Sequence, residues 1–561
     1  MHRYLTLLVV LCLLGGAQLL PAPDRNPTEN PQKPGPQKSG FYSFQNPFTP
    51  FEVGVGAVSN FSCMVSAATQ PGVYAGNSLL DCDAEVPHNE TTIAVNPNDP
   101  DHVVGGYHSY ELNFVGRTLV SHIISTASVS FDGGVTWQES VPPVTPYQFM
   151  GDPALAFDST GRLYYANIAD HEGGKNFPFT GPSIVVSHSN DGGLTWSNPV
   201  TVEKGLGAAT PGRFIGNQIF NDKEFIAVDT GAASPHQNRV YVTWSRFEEA
   251  INPGNVLIRV PIAVSFSDNG LNWSARQEIS GFSPNCSVGL FGLPNECDLN
   301  QDSYPTVAPT GKAYVTFENF NTPAENQILA VSSNNGGQTW SAPVKVDDVF
   351  DINLPTNLDG RSTVTGCQFR WSAVANSAAD PSDATGNTVY VVWSDNRNGG
   401  PTDEDPTNTD VFLGRSTDGG LNWTVYTIDD TANDQFYPWV AVAPDGRVDV
   451  GYMDRSWSAE DQADACEYGF TLRRMTFGGG GAINLGPRTR VDTGLSDAGH
   501  VRWFSFSTNG NTLFLGDYNG VAVGPDGATW SLWTDHRALV ANPPSPNRNH
   551  GQHAVGTRTS P

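Results

Sequence analysis

The sequence predicts an all-β protein made of seven repeated four-stranded sheets. Three observations support this prediction: a short phrase recurs five times, a repeated pattern of paired strands runs along the chain, and there are 58 Gly and 41 Pro. Glycine and proline at this frequency favour short strands joined by turns over long helices. The 561 residues also exceed one ordinary compact core, and repeats avoid that limit because each unit packs only on its neighbours.

The recurring phrase predicts a tight turn followed by a buried tryptophan. Its copies are SFDGGVTW (130–137), SNDGGLTW (189–196), FSDNGLNW (266–273), SNNGGQTW (333–340) and STDGGLNW (416–423). Glycine accepts the positive φ of such a turn, and the Asp carboxylate and the preceding Ser or Thr hydroxyl accept hydrogen bonds from its amides. The tryptophan buries a large face between neighbouring sheets. These aspartates are therefore expected to hold turns and not to catalyse a reaction.

A second pattern, an apolar strand followed by a turn and an aromatic-rich strand, occurs seven times. It covers residues 91–108, 152–170, 223–246, 304–319, 370–397, 437–455 and 516–537. Val389, Val391 and Trp393 show the period of two that is typical of strands. Each unit thus contains strands A and B, then strand C, the tryptophan phrase as a hairpin corner, and strand D. Such sheets stacked radially form a β-propeller of four-stranded blades, and seven blades are favoured over six.

The two ends of the chain are predicted to have separate roles. Residues 1–22 have a basic start, an apolar run and small residues, which is typical of a secretory signal peptide. Residues 23–50 form a Pro-rich linker, and residues 51–561 form one propeller domain. The last unit, at 552–560, is one strand short, and we expect residues 51–59 (FEVGVGAVS) to supply that strand.

Cysteine content favours an oxidising compartment. Six cysteines remain outside the predicted signal, and an even number in an exported chain favours disulfides. Cys63–Cys82, Cys286–Cys297 and Cys367–Cys466 are the expected pairs, although six cysteines allow 15 connectivities. We expect a secreted protein, extracellular or periplasmic, that is monomeric and not inserted into a membrane.

Charge and motif content exclude several classes of partner. The formal net charge of −27 argues against nucleic acid, because binding a polyanion relies on basic groups. No CxxC or paired His/Cys spacing indicates a zinc site, and no phosphate-binding glycine loop is present. The sequence therefore predicts no metal and no cofactor.

The tryptophan phrase resembles the Asp-box, or bacterial neuraminidase repeat, of sialidase-like propeller proteins. The resemblance covers residues 91 to about 559 and implies a β-propeller with Asp-box hairpins between strands C and D. It also implies a sialidase-like site, in which three arginines bind the substrate carboxylate beside a Tyr–Glu pair and an acidic Asp. The Arg-Ile-Pro phrase of sialidases is absent, and the nearest string is Arg259-Val260-Pro261.

Strand geometry predicts where a site would form. The starts of A strands and the ends of B strands lie at one mouth of the ring, opposite the Asp-box corners, and three B strands there end in WSDNR, YMDRS and WTDHR. The candidate catalytic residues are Tyr437, Glu318, Asp395, Asp454 and Asp535. The candidate substrate-binding residues are Arg246, Arg370, Arg397, Arg455, Arg537 and His108. As an alternative, the repeated Asp and Arg form ion pairs that lock neighbouring blades.

This pattern predicts a secreted carbohydrate-active protein. The leading hypothesis is a sialidase-like glycoside hydrolase for an acidic terminal sugar, because arginine binds a carboxylate through two parallel hydrogen bonds and paired carboxylates supply an acid and a base. A tyrosine activated by glutamate, Tyr437 with Glu318 or Glu224, is one version of this chemistry. Two alternatives stay open: a non-catalytic propeller that binds a glycan or protein, and a polysaccharide lyase acting on uronic-acid glycans.

Overall fold

The computed structural model describes most of the chain from residue 64 onward. The described residues are 35, 64–66, 74–81, 87–115, 118–170, 181–207, 217–250, 256–289, 293–358, 360–400, 405–461, 465–500, 514–539 and 550–561. The predicted signal peptide (1–22), the closing strand expected at 51–59 and the pair Cys63–Cys82 lie outside the described residues.

The first three blades are antiparallel sheets, each built from strands consecutive in the chain. In chain order, the strands from the N-terminal end are β1 (Met64–Ser66), β2 (Ser78–Leu79), β3 (His88–Asn96), β4 (Asp99–Val115), β5 (Thr118–Ser130), β6 (Thr136–Ser140), β7 (Phe149–Phe157), β8 (Leu163–Asp170), β9 (Ser183–Ser189), β10 (Val200–Glu203), β11 (Asn217–Val228), β12 (Val240–Ala250), β13 (Val256–Arg259), β14 (Ile262–Ser267) and β15 (Gln277–Glu278). Blade one is β3-β4-β5-β6 with β1 added at its outer edge, blade two is β7 to β10, and blade three is β11-β12-β14-β15 with β13 paired to β12.

The remaining four blades repeat this order. Their strands are β16 (Asn300–Val307), β17 (Ala313–Asn319), β18 (Asn326–Ser333), β19 (Val344–Val349), β20 (Asn376–Ala379), β21 (Val389–Asp395), β22 (Asp410–Ser416), β23 (Thr424–Asp429), β24 (Gln435–Val442), β25 (Val448–Asp454), β26 (Glu467–Phe477), β27 (Ile483–Arg490), β28 (Ser496–Asp497), β29 (Gly520–Val523), β30 (Thr529–Asp535) and β31 (His553–Thr559). Blade four is β16 to β19, blade five is β20 to β23, blade six is β24 to β27 with β28 paired to β26, and blade seven is β29-β30-β31-β2. The helices among the described residues are 3₁₀ turns at Arg455–Trp457, Gly479–Gly481 and Ala498–His500.

The seven blades close into a ring, as the sequence predicted. The innermost strands β3, β7, β11, β16, β20, β24 and β29 contact one another in that order, and β29 contacts β3. An N-terminal segment completes the last blade, because Ser78 and Leu79 pair with Gly556 and Val555 of β31. A segment that precedes blade one therefore forms the outermost strand of blade seven, which ties the two ends of the ring together.

The Asp-box turns form the hydrogen bonds predicted for them. In blade two, Asp191 accepts hydrogen bonds from the Thr195 amide at 2.9 Å and from the Thr195 hydroxyl, while the Ser189 hydroxyl accepts from the Gly193 amide at 2.7 Å. Gly192 and Gly193 both have positive φ. Trp137 is fully buried, and its ring packs edge-on against Trp530 of blade seven. The turn is self-contained, and at least one of its tryptophans joins two blades.

A basic residue at the start of strand B links four of the five Asp-boxes to the preceding blade. It donates to the carbonyl that precedes the last glycine of the turn in the next blade. These contacts are His102 to Gly192 at 2.9 Å, Arg162 to Asn269 at 3.3 Å, Arg239 to Gly336 at 2.8 Å and Lys312 to Gly419 at 3.1 Å. One contact of this kind therefore spans each of the four junctions from blade one to blade five.

Two of the predicted disulfides are confirmed. Cys286 pairs with Cys297, and Cys367 pairs with Cys466. The second bond ties the connection between blades four and five to the start of β26 in blade six, so it holds a segment that crosses the mouth of the ring. Among the described residues, no helix has the length and apolar character needed to cross a membrane.

Candidate functional site

The innermost strands of five blades share a backbone feature at the mouth. Each strand contains a β-bulge in which one residue has a φ between 50° and 56°; these residues are Glu90, Asp152, Lys223, Asp302 and Tyr437. Residues other than glycine seldom adopt this conformation, which costs on the order of 1–3 kcal/mol. Because this bulge recurs in five blades, we infer that the ring architecture imposes it. The bulges bring side chains from different blades together near the axis of the ring.

Lys223 lies at the centre of this axial cluster. Its ammonium contacts three carboxylates from three other blades: Asp517, Glu90 at 3.4 Å and Asp152 at 3.6 Å. Burial alone would lower the pKa of Lys223, but Asp517, Glu90 and Asp152 raise it well above its ordinary value. The ammonium therefore stays charged although the side chain is almost entirely buried.

Arg370 completes the cluster from the connection between blades four and five. Its guanidinium binds both carboxylate oxygens of Asp517, with 2.5 Å between Nε and Oδ1. Burial alone would raise the pKa of Asp517, but Arg370 and Lys223 lower it below its ordinary value. The bidentate pair fixes the position of both side chains.

The Tyr437 hydroxyl donates a hydrogen bond to the backbone carbonyl of Arg370. Burial, followed by the charge of Asp517, raises the pKa of Tyr437 well above its ordinary value. The hydroxyl therefore stays protonated, and in this arrangement it helps to position Arg370.

His108 is a neutral hydrogen-bonding residue in this cluster. Its Nε2 accepts from the Asp152 amide at 2.5 Å, and its Nδ1 lies 3.1 Å from Oδ1 of Asn89. Burial lowers the pKa of His108 to about 4, so Nδ1 carries the proton near neutral pH. The carboxylate of Glu90 lies 3.2 Å from Nε2, and burial followed by Asp152 raises the pKa of Glu90 well above its ordinary value.

A cavity of about 40 Å³ lies beside the cluster, between blade four and the connection to blade five. Asp302, Glu318, Arg370 and Asp517 are among its lining residues. At 10–15 Å³ each, roughly three water molecules fill this volume. The cavity is therefore a polar recess for a few small groups and not a deep pocket.

Asp302 and Glu318 are two of the four carboxyl groups that line this recess, with Asp351 and Asp517. Gln301 pairs in register with Glu318 across β16 and β17, so Asp302 follows directly beside it. The Oδ1 atom of Asp302 has no hydrogen-bond partner among the described residues. Burial raises the pKa of Asp302 to about 7 against the lowering effect of Lys223. Near neutral pH the protonated and the ionised form of this carboxyl group are therefore both populated.

Each arginine predicted to bind substrate is paired with a carboxylate. The pairs are Arg246–Glu248, Arg370–Asp517, Arg397–Asp395, Arg455–Asp434 and Arg537–Asp535. Arg397 also bonds Asp347 of blade four at 3.0 Å, so it links two blades. The Arg370–Asp517 pair and the Arg397–Asp347 contact join different blades, as in the alternative of ion pairs that lock neighbouring blades, whereas Arg246–Glu248, Arg397–Asp395 and Arg537–Asp535 each lie within one blade.

The three aspartates of the repeated strand ends are buried in similar local networks. Asp395 and Asp535 each accept from the tryptophan two residues earlier, Trp393 and Trp533, at 3.0 Å. Asp454 accepts from the Thr471 hydroxyl at 2.7 Å and pairs with Arg488. The structure thus brings Tyr437, Arg370 and His108 into the axial cluster and Glu318 into its recess, whereas these aspartates hold strand ends.

Sequence reasoning missed Glu90; it placed Asp302 and Lys223 among the strand-A starts expected at the mouth but assigned them no role. Glu90 lies just before the apolar residues of β3, as Asp152 lies just before those of β7. This shared position relative to the apolar residues was the signal that could have identified Glu90. The bulges that bring these residues together have no common marker in the sequence, because the bulge residue is Glu, Asp, Lys, Asp and Tyr in the five blades.

Seven blades, five of which carry Asp-box turns, define a propeller of the Asp-box class. The chain belongs to the BNR repeat-like domain family, whose model matches residues 124–450. No curated protein is similar enough in sequence to be matched to it.

Several solved structures are similar in fold. An α-L-arabinanase from Penicillium chrysogenum is 14% identical, with 67% of this chain and 92% of that chain covered and a TM-score of 0.40. A sialidase from Streptococcus pneumoniae is 10% identical, with 89% and 98% covered and a TM-score of 0.39. A leech intramolecular trans-sialidase is 11% identical, with 86% and 93% covered and a TM-score of 0.41. Nothing about activity carries over at these values.

Proposed function

We propose that this chain is a secreted glycoside hydrolase whose reaction takes place at the Asp302–Glu318 recess. The observation that carries the proposal is the buried Asp302 carboxyl, which has a pKa of about 7 and lies in the same recess as Glu318. Glycoside hydrolysis needs one carboxyl group that donates a proton and a second that acts as a base or nucleophile.

The two carboxyl groups have different environments, which favours different roles. Burial, with a smaller contribution from the Asp517 charge, raises the pKa of Asp302 against the effect of Lys223, so it gains a proton more readily than an ordinary aspartate. In its protonated form it would donate that proton to the leaving oxygen of a glycosidic bond. Glu318, on the neighbouring strand, would supply the negative charge that stabilises the developing positive charge on the sugar.

The charges around the recess favour a sugar without a carboxylate. Arg370 is bound bidentately by Asp517, and Lys223 is shared by three carboxylates. An acidic sugar, as the sequence predicts, would compete with these carboxylates for both cations. We therefore propose a neutral glycan as the substrate class.

Asp302→Asn tests the proposal. The amide keeps the shape of the side chain but cannot donate a proton as an acid, so kcat should fall at least about 100-fold, the usual contribution of a general acid. Wild-type activity should decline as pH rises through about 7, because Asp302 then loses its proton. Release of reducing sugar from neutral and acidic glycans, measured with the purified chain across this pH range, gives both results.

Asp445→Asn is the matched control, because Asp445 is exposed in the A–B turn of blade six, away from the mouth. This variant should retain wild-type kcat. Equal activity of wild type and Asp302→Asn would contradict the proposal, as would release of acidic sugars alone.

The size of the recess favours a second candidate function, a glycan-binding propeller without catalysis. A volume of about 40 Å³ admits a hydroxyl or hydroxymethyl group of a sugar but not a whole ring. Such a protein would bind glycans in isothermal titration calorimetry without any turnover, and Asp302→Asn would then change affinity alone. The lyase alternative has less support, because His108 already accepts a backbone hydrogen bond and Tyr437 stays protonated.

A further inference from the structure

Three buried metal-ligating side chains meet where the ring closes. Asp81 follows β2, His88 begins β3 of blade one, and His553 begins β31 of blade seven. All three are at most 2% exposed. They come from segments up to 472 residues apart, and none of them lines the recess described above.

The possible metal-donor atoms of Asp81, His88 and His553, here called the seam cluster, have a spacing close to that of a zinc site. Oδ1 of Asp81 is hydrogen-bonded to Nδ1 of His553 at 3.0 Å and lies 3.7 Å from Nδ1 of His88, and one ligand atom of each residue lies within 4.8 Å of the others. Zinc–nitrogen and zinc–oxygen bonds of ~2.0–2.2 Å in a tetrahedron place neighbouring donors ~3.3–3.6 Å apart. The two Asp81 distances lie on either side of this range, and metal binding would displace the proton that Asp81 and His553 now share.

The surroundings hold these side chains in orientations suited to ligation. The Ala554 amide donates to Oδ2 of Asp81 at 2.8 Å, which leaves Oδ1 directed at the two imidazoles. Nε2 of His88 lies 3.4 Å from the Ser109 hydroxyl, on the side of the ring away from Asp81. Outer contacts of this kind fix the ring orientation and tautomer of metal-bound histidines.

Charge distinguishes this cluster from a second His–carboxylate group in the same protein. Glu90, His108 and Asp152 also converge, but the Lys223 ammonium lies 3.4 and 3.6 Å from their carboxylates and already occupies the cation position. In the described part of the chain, no lysine or arginine forms an ion pair with Asp81. Two imidazoles and one carboxylate without a resident cation suit a divalent transition metal.

We propose that Asp81, His88 and His553 bind a divalent transition-metal ion, with zinc as the best fit and water as the fourth ligand. The ion would tie the segment after β2 and the start of blade one to the last blade. Because it binds only where the ring is closed, it would stabilise the closed propeller. This site goes beyond the proposed hydrolase function and does not depend on it.

Zinc binding by the full chain tests the proposal. After dialysis against a chelator, wild-type protein should take up about one equivalent of zinc, measured by elemental analysis, and its Tm should rise. Cobalt in place of zinc should give the visible absorption of a four-coordinate site, which reports nitrogen and oxygen ligation without any substitution. His553→Ala and Asp81→Ala should reduce the bound metal to near zero.

His500→Ala is the matched control, because His500 pairs with Asp497 at 2.5 Å but is exposed and lies outside the cluster. This variant should bind zinc like wild type. If His553→Ala does not fold, the wild-type cobalt spectrum and zinc stoichiometry still decide the question. Wild-type protein that takes up no zinc and shows no change in Tm, or a folded His553→Ala variant with full zinc content, would overturn the proposal.

Discussion

At the scale of single residues, Asp302 is held in an unusual state by its position. It has a positive φ, a buried side chain and an oxygen without a hydrogen-bond partner among the described residues. Each of these features costs stability, and such costs are typical of functional sites. The neighbouring Lys223 offsets only part of the burial penalty on the charged form, so the pKa of Asp302 stays near 7.

Asp302→Asn should change how stability depends on pH. The carboxyl pKa is about 7 in the folded chain against an ordinary value of 3.8, so the folded state holds the proton more tightly. Wild-type stability should therefore fall by roughly 4 kcal/mol as pH rises from about 4 to about 8, at 1.36 kcal/mol per pKa unit. The variant lacks this loss, so urea unfolding should show its advantage growing over that range. A pH-independent difference between the two proteins would contradict this.

At the scale of elements, the Asp-box is a turn that satisfies its own polar groups. Asp191 and Ser189 use their oxygens on the amides and hydroxyl of the turn itself, so these two side chains bond within the hairpin. Asn335 replaces the aspartate in blade four and forms equivalent contacts, accepting from the Thr339 amide at 3.0 Å and donating to its hydroxyl at 2.8 Å. The turn therefore requires the oxygen acceptor and not the negative charge.

Asp191→Ala should lower the free energy of unfolding by about 1–2 kcal/mol, because three hydrogen bonds to its side chain are lost. Asp191→Asn should cost less than half as much, since the amide can repeat the contacts of Asn335. Asp430→Ala is the control, because Asp430 is exposed and forms no hydrogen bond among the described residues. Thermal unfolding of the three variants measures this order. Equal losses for Ala and Asn would mean that the charge matters.

At the scale of the whole molecule, the ring is held by contacts between parts distant in sequence. Ser78–Leu79 completes the last blade, and Arg239 and Lys312 at the starts of B strands donate to the Asp-box of the next blade. The Cys367–Cys466 bond joins the connection between blades four and five to blade six. The Cys367–Cys466 bond closes a loop of 99 residues, whereas Cys286–Cys297 closes one of only 11. Longer loops lose more entropy on closure, so the two bonds should differ in their contribution.

Replacing both cysteines of each pair by serine should separate the two bonds. The loop-entropy relation gives roughly 4.7 kcal/mol for the Cys367–Cys466 loop and roughly 2.8 kcal/mol for the Cys286–Cys297 loop. All four cysteines are buried, so the cost of adding hydroxyl groups is similar in both double variants. Denaturant unfolding should show the larger loss for C367S/C466S. A larger loss for C286S/C297S would show that local packing outweighs loop length.

The sequence by itself determined the repeat and the Asp-box turns and favoured seven blades, since glycine, the Asp and Ser oxygens and alternating apolar residues act within a few positions along the chain. It named the pairs Cys286–Cys297 and Cys367–Cys466, which the structure confirms, but six cysteines left 15 connectivities open. It also indicated that strand-A starts and strand-B ends would share one mouth, which brought Tyr437, Arg370 and His108 close to the axis.

Only the tertiary structure decided which charges meet. Arg370 and Asp517 are 147 residues apart, and Asp81 and His553 are 472 residues apart, so their spacing in the sequence does not predict either contact. The bulges that give Glu90 and Asp302 their positive φ arise where strands crowd the axis, a constraint of the closed ring and not of residue type. Charge pairing and burial depend on distance in space, which is why the pKa of Asp302 and the pairing of the arginines appear only in the folded molecule.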